Sequence, residues 1–215
     1  MKINKFSNQI LSKKWDLIVI AVSSLGIDLI GKNLSKIKNK SPILVLTKGL
    51  KLDGRNLISM SSLLRKYNKN LNVSVLKGPC LAKELARKVK SFTVVSNKNI
   101  NTAKKIGKLI STNYYQTEFS RDVNGVEFLS AIKNIYSMII GAGQWHNTSS
   151  ALFRKSIDEM KYLSNYFKGK KETVYGLAGL GDLYVSAMGG RNSKMGEYLG
   201  TVSYTHLTLP TTPYV

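Results

Sequence analysis

The sequence is short of cysteine, histidine, proline and acidic residues. Cys80 is the single cysteine among 215 residues, so a disulfide framework is excluded and a reducing, cytoplasmic compartment is expected. The two histidines are His146 and His206. With one cysteine beside them they make no zinc site, and no metal is expected. Unbroken apolar runs such as residues 17–22 fall far short of the roughly 20 residues that span a bilayer. The N-terminal MKINKFSNQILSKKWD has lysines but neither an apolar stretch nor a small-residue cleavage site, so no signal peptide is read there. No G-x-S-x-G elbow and no Walker loop occur.

Basic residues are abundant. Lys and Arg number 33 against 12 Asp and Glu, a formal net charge of +21. Such a charge invites a nucleic-acid partner or a scaffold role. Its distribution argues otherwise. Residues 1–121 hold 24 Lys/Arg against 5 Asp/Glu, whereas residues 122–215 hold 9 against 7. The cations are 27 Lys to 6 Arg, scattered among Asn and Ile, while base and phosphate recognition favours arginine forks. A compositional bias toward Lys, Asn and Ile accounts for this pattern, and no nucleic acid is expected.

Hydrophobic residues make up 43%, enough for a packed core. Strands are expected at 16–23, 41–49, 72–79 and 91–96, short β-branched runs bounded by small polar residues or Gly-Pro. Helices are expected at 25–38, 54–69, 81–90 and 100–111, followed by a short link through 114–117. This alternation predicts an α/β domain over residues 1–122 with a mainly parallel sheet. Residues 123–143, 148–167 and 190–199 read as helices, so an all-helical region is expected over 123–200. After Glu197 no charged residue remains, and VSYTHLTLPTTPYV carries two of the four prolines and no helical period. Residues 201–215 therefore read as a non-native tail and are excluded from fold reasoning.

Three turns should lie past the carboxyl ends of strands, where open α/β sheets bind ligands: Ser23-Ser24, Lys48-Gly49 and Gly78-Pro79. Lys48 directly follows an apolar strand; it is either a ligand contact or a solvated loop lysine. Lys133 is the one Lys or Arg between Asp122 and Phe153. Val126, Leu129, Ile132, Ile135 and Ile139 recur at helical spacing and define a core face. Lys133 adjoins that face, so it is either partly desolvated, which lowers a lysine pKa toward usable proton transfer, or a snorkelling side chain. In GLAGLGDLYVS, Asp182 sits among glycines, as a helix cap or as an anchor for a hydroxyl or a lysine ammonium. Arg191-Asn192 follows Gly189-Gly190 at a helix start, as a phosphate fork or a surface loop. Cys80 lies near a helix start that favours thiolate; a buried, inert thiol is the expectation.

Taken in order, DLIVIAVSS, ILVLTKGL, KGPCLAKELA, NGVEFLSAIKNIYSMIIGAG, HNTSSALFRKSIDEM and YGLAGLGDLYVSAMGGRNSKMGEYLG resemble the NAD(P)-dependent glycerol-3-phosphate dehydrogenases over about residues 16–200. The resemblance implies a partial Rossmann-type domain followed by an all-helical domain. It implies interconversion of sn-glycerol 3-phosphate and dihydroxyacetone phosphate with NAD or NADP, feeding phospholipid synthesis. By the same likeness Lys133 is the general acid/base. Lys48, Gly78, Cys80, Lys133, Asp182, Gly190, Arg191 and Asn192 bind substrate, while Lys48, Ala82 and Arg191 touch the cofactor. A homodimer is compatible with the family. The chain departs from the pattern in several places. No G-x-G-x-x-G follows a strand, so a βαβ unit is expected before residue 1, and further helices are expected beyond about 200. Cys80 stands where the family has Ser or Thr, Gly190 where it has Ser, and Ser23 where it has Pro. An inactive fragment is the alternative expectation.

Overall fold

The computed structural model describes residues 11–37 and 40–207. In chain order it runs β1 (Ile18–Ile20), α1 (Ile27–Ser35), β2 (Ile43–Val45), β3 (Leu50–Asp53), β4 (Asn56–Ser59) and α2 (Met60–Tyr67). Then come β5 (Val73–Lys77), α3 (Ala82–Ala86), β6 (Ser91–Ser96), α4 (Ile100–Ile110) and β7 (Tyr115–Ser120). Four helices follow, three of them long: α5 (Val123–Ala142), α6 (His146–Tyr166), the short α7 (Asp182–Ala187) and α8 (Arg191–Leu207).

Five strands form one sheet in the order β1-β2-β5-β6-β7. The pairs β1–β2, β2–β5 and β6–β7 are parallel, and β5–β6 is antiparallel. The fold class read from the sequence therefore holds: a mixed, mostly parallel sheet followed by helices. β2 is Ile43-Leu44-Val45, buried throughout, as expected where both faces of a sheet are covered. One face packs on α1, α2 and the start of α5 through Ile27, Leu34, Leu64, Val75 and Val126. The other packs on α4 through Leu44, Val95, Ala103 and Ile106.

Two expected segments differ. The span 54–69 is not one helix: β3 and β4 pair as an antiparallel hairpin, and α2 begins only at Met60. Gly54, at φ +60°, makes the tight two-residue turn after Asp53, a hairpin signal that the helical spacing of Leu57, Ile58, Leu63 and Leu64 obscured. Residues 115–117 of the expected link belong to β7, which lies at the sheet edge.

Asp122 fixes the junction between the two halves. One carboxylate oxygen accepts from Gly125 N (3.0 Å) and caps α5. The other accepts from Lys170 N (2.7 Å) and Thr173 Oγ1 (2.6 Å). The buried face of α5 is Val126, Leu129, Ile132, Tyr136 and Ile140. Ile135 and Ile139 are exposed, which corrects their assignment to the core face: a 20-residue helix drifts off a strict three-residue spacing. α8 continues through Leu207, past the 201 boundary of the expected tail. Residues 208–215, and the N-terminal residues 1–10, lie outside the described residues.

Candidate functional site

β1, β2 and β5 run parallel, so the loops after them open on the same side of the sheet. Hydrogen bonds tie these loops together. Thr47 Oγ1 donates to Val22 O (2.7 Å), and Lys77 Nζ donates to Thr47 O (2.5 Å). Gly49 and Gly78 have φ of +141° and +125°, conformations that a side chain would strain. A Cβ at Gly78 would press on the Thr93 backbone and Leu177. The Gly78-Pro79 turn thus packs against the π-helical turn Leu177–Gly181, which delivers Asp182 to the same place.

Asp182 is the hub. Lys133 Nζ, from α5, donates to its Oδ1 at 2.5 Å, and Lys48 Nζ donates to its Oδ2 at 2.8 Å. Lys133 also donates to Ser186 Oγ (2.5 Å), which in turn donates to the Asp182 carbonyl (2.7 Å). Ser130 Oγ donates to Asp182 Oδ2 at 3.4 Å. Side-chain exposure is 10% for Lys133, 3% for Asp182 and 38% for Lys48. Two cations therefore share one buried carboxylate, leaving excess positive charge with an open side at Lys48. Burial holds the Lys133 ammonium below the usual lysine range; Lys48 pushes the same way, and Asp182 opposes both. A buried ammonium with a depressed pKa, beside an anion-attracting group, can exchange a proton with a small anionic substrate.

The structure thus joins Lys48, Lys133 and Asp182, and sets Gly78 beside them. Cys80 is exposed, which corrects the expectation of a buried thiol. Partial desolvation by the surrounding turn still pushes the thiol up, while Lys48 pulls the other way. Ala82 is exposed at the start of α3, and Arg191 is exposed at the start of α8. Gly190 permits the close turn onto Ser186, whose carbonyl a Cβ there would crowd; Asn192 is half-buried. Gly190 N donates to the Ser186 carbonyl at 3.1 Å, which is its link to the Asp182 cluster. Sequence reasoning missed Lys77, Ser186 and Glu127, a buried α5 carboxylate that accepts from Ser61 N at 3.0 Å and favours the charged form of Lys77. Lys77-Gly78 repeats the strand-closing Lys-Gly pattern that singled out Lys48, so a signal was present. Two cavities, of about 970 and 760 Å³, lie elsewhere, lined for example by Trp15, Lys105 and Lys108, and by Leu57, Phe128 and Phe167. Among the described residues no metal-binding group occurs, and no helix is long and apolar enough to cross a membrane.

The comparisons with known proteins give the family. Residues 7–103 match the model of the NAD-dependent glycerol-3-phosphate dehydrogenase N-terminus, and residues 122–209 match that of the C-terminus. The chain belongs to the NAD-dependent glycerol-3-phosphate dehydrogenase family. It is 34% identical over 193 residues to a glycerol-3-phosphate dehydrogenase [NAD(P)+] of Clostridium botulinum, covering 86% of this chain and 58% of that protein. To an NADP(+)-dependent glycerol-3-phosphate dehydrogenase of Archaeoglobus fulgidus it is 28% identical, with the same coverages of 86% and 58%. Among solved structures, glycerol-3-phosphate dehydrogenase from Coxiella burnetii has a TM-score of 0.76 at 26% identity, covering 89% of this chain and 62% of that one. The Saccharomyces cerevisiae enzyme has a TM-score of 0.82 at 22% identity, covering 92% and 60%, and shows the fold alone. The chain spans about 58% of the length of the first of these curated relatives.

The family implies a nicotinamide cofactor. Gly49 and Gly78, both at positive φ, turn the chain directly after Lys48 and Lys77. The described residues contain no glycine-rich loop after a strand to cradle a pyrophosphate.

Proposed function

We propose that this chain interconverts sn-glycerol 3-phosphate and dihydroxyacetone phosphate with NAD(H) or NADP(H), supplying glycerol 3-phosphate for phospholipid synthesis. The observation that carries the reading is the buried Lys133 ammonium, held on Asp182 with Lys48 on the carboxylate's other oxygen. The nicotinamide, when bound, supplies the hydride chemistry at carbon two of the substrate. Lys133 supplies the proton. In reduction its Nζ donates to the carbonyl oxygen as negative charge builds there, and in oxidation it takes the hydroxyl proton back. Asp182 and Ser186 fix Nζ against rotation. Lys48 attracts the phosphate ester to the open side of the cluster.

The remaining roles follow the resemblance. Gly78, Cys80, Gly190 and Asn192 line the substrate side, Ala82 the cofactor side, and Arg191 offers a fork to both. Residues 1–122 carry the dinucleotide-binding part and residues 123–200 the substrate part. The purified chain, given dihydroxyacetone phosphate and NADH or NADPH, should oxidise the cofactor and yield sn-glycerol 3-phosphate by chromatography. A folded chain, melting cooperatively, that consumes neither cofactor overturns the reading.

A further inference from the structure

Lys77 closes β5, is 3% exposed, and has no part in the proton transfer proposed above. Its Nζ donates to Thr47 O at 2.5 Å and to Leu46 O at 3.1 Å. These are the last two carbonyls before Lys48. A buried ammonium held only by neutral carbonyls is costly for stability unless its charge serves a purpose. Hydrophobic residues of similar length would fill the same space without that cost.

We propose that Lys77 is a positioning residue for the candidate site, clamping the β2 end that carries Lys48 and placing a third cation behind the Lys48–Asp182–Lys133 bridge to bind a phosphate ester. The inference rests on the function proposed above and deepens it. Lys48, Lys77 and Lys133 stand against two buried carboxylates, Asp182 and Glu127, which leaves one excess positive charge at the strand ends, less screened there than in water. The clamp holds the Thr47 carbonyl, while Thr47 Oγ1 reaches back to Val22. Lys77 therefore also keeps the loops after β1 and β2 in register.

Lys77 is set to lose its proton at about pH 8. Burial lowers it to about 8; Glu127 on α5 and Asp182 on α7 favour the charged form, and Lys48 on the turn after β2 disfavours it. α5 also presents Lys133. Arg65 on α2 binds the Val73 carbonyl at the other end of β5. The neighbouring strand β6, Ser-Phe-Thr-Val-Val-Ser, brings no charge. Above the transition the third cation is gone, and the hold on a dianionic phosphate should weaken.

Calorimetric titration of the full chain with dihydroxyacetone phosphate from pH 7.5 to 9 tests this, because the phosphate stays dianionic throughout about that window. The parent chain should bind, and its affinity should fall several-fold across the window. Lys77→Arg, which stays charged, should bind with a flatter profile. Lys77→Met should bind about tenfold more weakly at pH 7.5, about 1.4 kcal/mol. Should the parent bind while Lys77→Arg shows the same fall with pH, the titrating group is another, such as Lys133, and the inference about Lys77 is wrong while the site stands. Parent-like affinity in a folded Lys77→Met chain also overturns it. A parent chain that does not bind the ester at all overturns both this inference and the function beneath it. The comparison of parent with Lys77→Arg remains decisive even if Lys77→Met fails to fold.

Discussion

Each half of the molecule buries one lysine, and the two are treated differently. The helical half, with 9 Lys/Arg against 7 Asp/Glu, buries Lys133 and gives it a carboxylate, Asp182. The sheet half, with 24 against 5, buries Lys77 and gives it backbone carbonyls. The abundance of cations in the sheet half does not locate the site. What locates it is the cost of taking an ammonium out of water, accepted twice at the same junction of strand ends and α5. A compensated lysine can be held in place and still trade a proton. One held by carbonyls, with Glu127 and Asp182 acting only from a distance, is chiefly a source of field, and burial brings its titration down to about 8.

The largest test of that contrast is to remove the carboxylate. Asp182→Ala would leave Lys133 buried with no counter-charge and Lys48 unanchored, and should cost about 3–5 kcal/mol. Denaturant unfolding that shows less than about 1 kcal/mol would mean that Asp182 does not hold the cluster. Next is the packing that carries Lys133. Gly196 of α8 lies against α5 so closely that a Cβ would overlap the Met138 carbonyl. Gly196→Ala should therefore destabilise by about 1–3 kcal/mol, and a neutral melting temperature would show that α8 does not seat on α5 in this way. A third test follows Lys77 through pH. Between about 8, where folded Lys77 titrates, and the ordinary lysine value of 10.5, the unfolded chain holds a proton that the folded chain has released. Lys77 therefore costs least stability at the upper end of that window. The melting temperature of the parent relative to Lys77→Met should rise as pH climbs from about 8 to 10.5, and a falling difference would reverse the assignment. The smallest effect is at Lys48, whose side chain is 38% exposed. Lys48→Met should change stability by about 1 kcal/mol or less while weakening phosphate-ester binding, which separates its functional role from a structural one.

Much of this was legible in the sequence, for reasons that differ by element. β2 and β5 were readable because parallel strands covered on both faces are nearly pure apolar runs. Lys133 was readable because a lone cation in an apolar helix breaks a pattern. Its partner was harder to read: Asp182 was open between a cap and an anchor, since a carboxylate among glycines fits either. The hairpin of β3 and β4 was lost because Leu57, Ile58, Leu63 and Leu64 suit a helix face as well as a strand followed by a helix. Only the Asp53-Gly54 turn distinguishes the two. β7 was lost because an edge strand such as YQTEFS needs no continuous apolar run. Lys77 was passed over among 27 lysines, because burial at a strand end is a tertiary fact even when the Lys-Gly pattern is present.

The central claim is that Lys133, seated on Asp182, moves the proton. Steady-state cofactor oxidation by the parent chain and by Lys133→Met, at saturating dihydroxyacetone phosphate, tests it most directly. Removal of a general acid should lower turnover about 10²- to 10⁴-fold with a much smaller change in substrate affinity. Turnover by Lys133→Met within a few-fold of the parent would contradict the account.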